Sequence, residues 1–463
     1  MNGRIDVKKT DYLKLLREGH QLTLWQQIKL IIILSMPAII AQLSSIVMEY
    51  IDASMVGRLG ADGSAAIGLV ASSTWLLGGL CHSVTTGFTV QVAQTVGAGR
   101  NEEARKIVKL ALLCAGIFSV VLMVVGLFLG RVIPVWLQGD EKILPNAIKY
   151  LSIYAISLPM VQLTGITGGM IQASGNMKLP SILHVVMCAL DVIYNSIFIY
   201  GIGLGVLGAA IGTALAQLTV GVIMLWYMLR KSPVLRYHLG EKFEFSTTYL
   251  IKAVKIAIPV GIEQIVMCGA QIVSTKIVAP LGNIAIAANS LAVTAESLCY
   301  MPCYGIGAAA TTLIGQSIGA GRKDLTKKLG WLVTGFGMLV MAFGGILMYI
   351  FAPQMIGILT PDPEIRELGT LVLRIEVVAE PMYAASIVAA GVFHGAQDAV
   401  VPSLFSFISM WAVRLPLAYV LSQNMGLKGV WLAMCIELCV RGMLFLIRLS
   451  GKKWLKLKKI QKN

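Results

Sequence analysis

Charged residues are scarce in this 463-residue chain: Asp, Glu, Lys and Arg make up 13% of it, against 57% hydrophobic residues. Soluble domains carry about 25% charge, so the composition excludes a protein whose whole surface faces water, and runs of about 20 apolar residues match a bilayer core instead. Period-two alternation is also missing. That leaves helices, with their internally closed hydrogen bonds, as the way to cross. Acids are the rarer sign, 23 against 38 bases, for a net charge of +15. The bases fall in loops on alternate sides of the apolar runs, as the positive-inside rule requires, so no nucleic-acid partner is expected. Cysteines number eight, all inside apolar runs, including the i,i+4 pairs Cys299/Cys303 and Cys435/Cys439. They read as packing residues and not as disulfides or metal ligands. No HExxH, G-x-S-x-G, His-rich cluster or Walker-type lysine loop occurs, so neither an intramembrane enzyme nor an ATPase is supported, and no cofactor is expected. No signal peptide is evident. The basic, partly amphipathic YLKLLREGHQLTLWQQ beginning at Tyr12 is expected to lie on the cytoplasmic face.

What is present is a repeat. An offset of 222 carries Pro37 to Pro259, Gln42 to Gln264, Leu59-Gly60 to Leu281-Gly282, Gln94 to Gln316 and Gly99-Arg100 to Gly321-Arg322. The same offset carries Pro159-Met160 to Pro381-Met382 and Pro180-Ser181 to Pro402-Ser403. Repeats of this length fix the architecture before any residue is given a role. Six apolar spans are expected at about 28–57, 63–92, 107–133, 146–172, 180–201 and 205–229, and six more at about 250–279, 285–315, 330–353, 368–394, 400–421 and 427–449. The fold class is therefore an all-α integral membrane protein, twelve transmembrane helices in two homologous six-helix lobes. Six is even, so the lobes run in the same direction, a parallel repeat.

The divisions are a cytoplasmic N-terminal segment (1–27), a first lobe (28–229), a cytoplasmic linker (230–249), a second lobe (250–449) and a basic cytoplasmic tail (450–463). One side collects Arg4, Lys8, Lys9, Lys14, Arg17, the bases after each GAGR loop, Lys242 and the tail lysines. The other side holds few, among them Arg58, Arg131 and Lys428. Both termini are thus expected to be cytoplasmic. The two GAGR turns need glycine at positive φ, with Arg100 and Arg322 expected to meet lipid phosphates.

Ionisable side chains inside the membrane cost a few kcal/mol each and are functional hypotheses by default. The first span carries Gln42, Ser45, Glu49 and Asp52 on one face, although the acids are also near enough to the helix end to reach the interface. At the same face of the seventh span stand Gln264, Met267, Gln271 and Ser274, so the scaffold does not itself require carboxylates there. Span five adds His184, Cys188, Asp191 and Asn195, and span six adds Thr213 and Gln217. Converging carboxylate, amide and hydroxyl oxygens suit a hard monovalent cation or a proton. His82 and His184 read either as proton-relay members or as helix-to-helix partners. The second lobe mixes Glu263, Glu296, Glu376, Glu380 and Glu437 with Lys276, Arg374, Arg414 and Arg441. Glu437 and Arg441 are an i,i+4 pair. The others, with Tyr383, read either as a substrate or second proton site or as ion pairs that hold helices together.

The stretches PAIIAQLSSIVMEYIDASMVG, AQTVGAGR, VAPLG, IGQSIGAGR and VAAGVFHGAQD resemble the multidrug and toxic compound extrusion (MATE) family over both halves. The resemblance implies a central cavity between the lobes, alternating access by rocking, and export of amphipathic organic compounds in exchange for H+ or Na+. The bilayer and small organic substrates are the expected partners, in the bacterial cytoplasmic membrane, and a monomer is expected because nothing in the sequence demands an oligomer. Within the family the chain is similar to the DinF-like branch, whose cation site combines a first-span Asp, a span-five N-x-x-x-D-P motif and a span-six Thr. Asp52 and Thr213 match, which implies an H+ or Na+ site at Asp52, Asp191, Asn195 and Thr213 with Glu49 tuning it. Span five departs from the motif: it reads Asp191-x-x-x-Asn195-Ser196, acid and amide exchanged and the Pro missing, which is expected to straighten the helix. The NorM-like branch places acids at the positions of Met267 and Tyr383. Glu263 and Glu380 lie one turn away, so a second-lobe site of Glu263, Glu380, Tyr383, Glu296 and Arg414 is open as a substrate or proton site. A lipid-linked oligosaccharide flippase shares the two-lobe plan, but the acidic first lobe disfavours a pyrophosphate.

Overall fold

The computed structural model describes residues 11–57, 61–136, 142–238, 240, 241 and 243–455, and the regular structure among them is helical throughout. Arg4, Lys8, Lys9, Arg58, Leu59-Gly60, Lys242 and the tail lysines from Lys456 on lie outside the described residues. A short helix, α1 (Tyr12–Arg17), opens the chain. The first lobe follows with α2 (Leu24–Gly57), α3 (Ala61–Gly97), α4 (Asn101–Trp136), α5 (Leu144–Ala173), α6 (Lys178–Ser196) and α7 (Val206–Arg230). The second begins with α8 (Thr247–Val278), α9 (Asn283–Gly319) and α10 (Lys323–Leu359). Its tenth span is α11 (Pro363–Glu376) and α12 (Glu380–Gly395), its eleventh α13 (Val400–Ile408) and α14 (Leu415–Met425), and its twelfth α15 (Leu427–Ser450). Among the described residues twelve spans, six per lobe, are long and apolar enough to cross a membrane.

Most helices outrun their apolar stretches by several residues. The reason is visible in α4, where Glu102 and Glu103 occupy the first turn and meet the positive end of the helix dipole. At 1.5 Å per residue the 37 residues of α3 or α9 span about 55 Å, enough to cross a core of about 30 Å and enter the headgroups on both sides. The glycines of the twin loops take the expected conformation, φ +75° at Gly99 and +73° at Gly321. Their arginines bond within the protein: Arg100 pairs with Glu103 at 2.6 Å, and Arg322 donates to the His20 carbonyl at 3.0 Å. These bonds occupy side chains that the sequence suggested would serve lipid.

Span five is not a plain α-helix. After Ser196 it continues as a π-helical turn, Ile197–Gly201, so losing the proline does not make the span regular. The hydroxyl of Ser196 bonds back to the Val192 carbonyl at 2.7 Å, a bond that competes with the backbone ladder. Span eleven has its own π-helical stretch, Ser409–Arg414, between α13 and α14. In span ten a 3-10 turn, Val377–Ala379, separates α11 from α12 just before Pro381, which cannot donate to the ladder.

Each lobe's first span packs on the second span of the other, α2 on α9 and α3 on α8. Small residues permit this. A Cβ on Gly305 would stand 2.7 Å from the Ala38 backbone, and one on Gly87 would stand 2.6 Å from the Ala253 carbonyl oxygen. The linker is docked rather than loose: Glu241 meets Arg105 at 2.6 Å and Lys109 at 3.2 Å, and Glu244 meets Lys106 at 2.9 Å. The Tyr249 hydroxyl also donates to Glu103. All eight cysteine thiols are free; those of Cys299 and Cys303 point to the carbonyls of Met341 and Gly337 inside the second lobe.

Candidate functional site

Asp52 lies five residues before the end of α2, on the face that meets α6. There the Asn195 amide nitrogen donates to two acids at once, to Asp52 Oδ1 at 2.8 Å and to Asp191 Oδ2 at 2.9 Å. Asp191 and Asn195 are fully buried, Asp52 is half-buried, and Glu49, one turn earlier, is exposed. Asp191 and Asn195 are four apart on α6, so one helical turn aligns them, whereas Asp52 arrives from 143 residues away. The Thr213 hydroxyl on α7 stands beside the Asp191 carboxyl. Asp52, Asp191, Asn195 and Thr213 thus come together, with Glu49 at the rim.

Close packing of α6 on α7 sets this geometry. A Cβ on Gly212 would land on the Asn195 side-chain oxygen and 2.9 Å from its backbone nitrogen. Two buried oxygens, Asp191 Oδ1 and Asn195 Oδ1, have no hydrogen-bond partner among the described residues. Buried polar atoms are normally satisfied, so an orphaned carboxylate oxygen beside a second carboxylate fits a proton or a hard cation that comes and goes. Tyr150 of α5 adds a phenol near both acids, a neighbour that the sequence reading did not single out. Its signal in sequence is weak, because a Tyr in an apolar span looks like packing. His184 stands about two turns before Asp191 and is not among the bonds of the cluster. A cleft of about 580 Å³ lies along α2, lined by Ile46, Tyr50, Ser54, Tyr200 and Leu298 among others and by no charged side chain. It is on the face of α2 away from Asp52.

In the second lobe the candidate residues divide. Glu296 of α9, Glu376 at the end of α11 and Glu380 at the start of α12 are all buried, and Glu296 and Glu376 face each other across the helices. Among the described residues, neither carboxyl oxygen of Glu376 or of Glu380 has a hydrogen-bond partner. Arg414 lies near this cluster, with its guanidinium against the Met434 sulfur and no carboxylate in ion-pair contact among the described residues. Tyr383 faces the Tyr300 ring at 5.7 Å and lies under the Arg441 guanidinium at 5.4 Å. Arg441 pairs with Glu437 at 3.1 Å, both buried. Glu263 stands apart from the three glutamates, accepting from the Ser403 hydroxyl at 2.8 Å. Lys276 and Arg374 are exposed, the latter over the Tyr349 ring. The place of Glu376 in the cluster is tertiary: its spacing to Glu380 is visible in sequence, its approach to Glu296 is not.

Comparison with known proteins agrees with the twelve-span fold and its internal repeat. The family model MatE matches twice, over residues 37–197 and 259–420, and the two matches begin 222 residues apart, the offset of the internal repeat. A probable multidrug resistance protein NorM of Thermotoga maritima is 25% identical over 438 residues, covering 92% of this chain and 93% of that protein. Its namesake in Acinetobacter baylyi is 28% identical over 437 residues, 91% and 96% of the two chains. Among solved structures, an outward-facing conformation of a multidrug resistance MATE family transporter of the MOP superfamily superposes with a TM-score of 0.88. It is 20% identical and covers 96% of this chain and 99% of its own. A MOP superfamily transporter from Pyrococcus furiosus, described as having a binding pocket of reversed polarity, gives 0.89 at 20% identity, over 97% and 100%. With most of its length matched by that model, once in each lobe, the chain belongs to the MatE family of multidrug and toxic compound extrusion proteins and is a membrane transporter, not an enzyme.

Proposed function

We propose that this protein is a secondary active multidrug exporter of the bacterial cytoplasmic membrane, both termini inside. It expels amphipathic organic compounds from the space between its lobes in exchange for H+ or Na+, as the names of its relatives suggest for the substrate class. Asp52, Asp191, Asn195 and Thr213 bind the coupling ion, in the manner of the DinF-like branch, and Glu49 strengthens the attraction without touching the ion. One observation carries this reading: a single amide bridges two carboxyls at 2.8 and 2.9 Å, with an oxygen of Asp191 left free. Two like charges this close in a water-poor site repel strongly. A proton or Na+ removes the repulsion, and its loss restores it, so occupancy changes how tightly α2 is held to α6.

Glu296, Glu376 and Glu380 support a second ion-binding region in the other lobe. Three buried acids without an ion-pair contact need protons or a cation among them. Glu263, Tyr383 and Arg414 border that region and would shape its choice of substrate. An acidic first lobe argues against a lipid-linked oligosaccharide flippase.

The test is transport by purified protein in liposomes under separately imposed pH and Na+ gradients, comparing wild type with Asp52→Asn. Efflux driven by one gradient and abolished by the substitution is expected. Efflux that survives it moves the coupling site to the three glutamates.

A further inference from the structure

The end of the bundle that carries α1 and the last turn of α15 is shut by two bonds that are copies of each other. The Gln94 amide of α3 donates to the Gly395 carbonyl at the end of α12, and the Gln316 amide of α9 donates to the Ala173 carbonyl at the end of α5, each at 2.8 Å. Both cross from one lobe to the other. The donors are related by the 222-residue offset, and so are the acceptors. One turn beyond each glutamine a glycine brings the chains together: a Cβ on Gly97 would stand 2.7 Å from the Gln316 carbonyl carbon, and one on Gly319 would stand 2.8 Å from that of Gln94.

The two halves are secured differently. Two residues past the Gly395 carbonyl, Gln397 donates its amide to Gln94 Oε1 at 2.7 Å. It does so from φ +60°, the left-handed region that side chains avoid, and it is the only non-glycine in that region among the described residues. The equivalent residue in the first lobe is Gly175, at φ +100°. Having no side chain, Gly175 leaves Gln316 Oε1 buried without a hydrogen bond. The vacant space is filled from α1: Leu13 packs there so closely that a Cβ on Gly175 would meet its Cδ2 at 2.6 Å. Leu13 and Leu16 of α1 are 4% and 0% exposed, and the segment behind them is tied to the second lobe by the bond from Arg322 to His20.

We propose that Gln94, Gln316 and Gln397 form the latch that keeps the lobes closed at this end, and that α1 is the removable cover of its weaker half. The Gln94 half has its amide oxygen satisfied. The Gln316 half does not, and a buried acceptor without a donor favours any state in which water reaches it. That half opens first, and α1, by keeping water out, sets how readily it does so. The N-terminal segment is thereby a control element for the rocking of the lobes, whichever ion is coupled.

Amide hydrogen exchange on the full chain in lipid nanodiscs tests this. In Leu13→Ala/Leu16→Ala, exchange is expected to rise roughly tenfold in residues 173–178 and 316–322, the effect of opening a local unit, while 395–399 keeps its wild-type rate. Gln397→Gly is expected to do the reverse, raising 94–100 and 395–399 alone. Gln94→Leu/Gln316→Leu is expected to raise all four segments, with the interiors of α5 and α15 and the thermal midpoint unchanged. Wild-type exchange at 316–322 in the α1 variant would overturn the proposal, as would an equal rise in both halves or a rise spread through the lobes.

Discussion

At the scale of single residues, the ion site depends on an absence as much as on its acids. Asn195 reaches both Asp52 and Asp191 because Gly212 lets α7 lie against it. Gly212→Ala therefore pushes the two helices apart, at a cost of about 1–3 kcal/mol typical of overpacked sites. The expected outcome is a protein that still reaches the membrane, with a lower thermal midpoint and ion-driven efflux reduced far more than drug binding. Gly201→Ala, where an added Cβ meets nothing within 4 Å, is the control and is expected to leave both unchanged. The sequence offered Asp191 and Asn195 as a pair through their spacing, and Asp52 through its place in a polar stripe. It gave no sign of the glycine, because the reason for it is on another helix.

At the scale of elements, the linker behaves as a strap on the first lobe. Burial against α4 pushes the Glu241 carboxyl up, but the hydrogen bonds and charges of Arg105 and Lys109 outweigh this and hold it below its ordinary value of 4.5. A carboxylate lowered on docking contributes stability above its free value and loses it as pH falls through the docked one. Amide exchange in residues 232–238, corrected for intrinsic rate, is accordingly expected to be flat from pH 8 to about 5 and to rise below, with Glu241→Gln raised and flat throughout. A wild-type profile without that rise would mean that the ion pairs do not hold the strap. The linker was legible as a polar stretch between lobes, but its docking was not, since Arg105 and Lys109 look like any bases obeying the positive-inside rule.

At the scale of the whole molecule, two lobes with acids in both bear on energetics. One charge crossing about 100 mV gains roughly 2.3 kcal/mol, while a tenfold gradient stores about 1.4 kcal/mol. Exchange of one monovalent organic cation for one H+ or Na+ moves no net charge and draws nothing from the voltage. Export of such a cation against a steep gradient thus requires either a steep chemical gradient of the coupling ion or at least two coupling ions per cycle, and the Asp52–Asp191 pair and the three glutamates of the second lobe together could bind two. Reversal potentials measured in liposomes are expected to give a ratio above one. A ratio of one together with voltage-driven accumulation contradicts this.

The sequence by itself determined the solvent, the number of spans and the two-lobe plan. These follow from short-range quantities: the length of apolar runs, the scarcity of charge, and a repeat that keeps its register from Pro37 and Pro259 through Ser181 and Ser403. It also aligned Asp191 with Asn195 on one face of their helix, because helical periodicity is local. Only the tertiary structure decided that Asn195 joins Asp52 to Asp191, that Glu296 meets Glu376 while Glu263 stands apart with Ser403, and that two equivalent glutamines cross between the lobes. Each of those contacts joins residues more than 70 positions apart, apart from the Asp191–Asn195 turn itself, and those of Asn195 and of the two glutamines rest on how closely glycines let two helices approach. Periodicity along one helix carries no information about that distance.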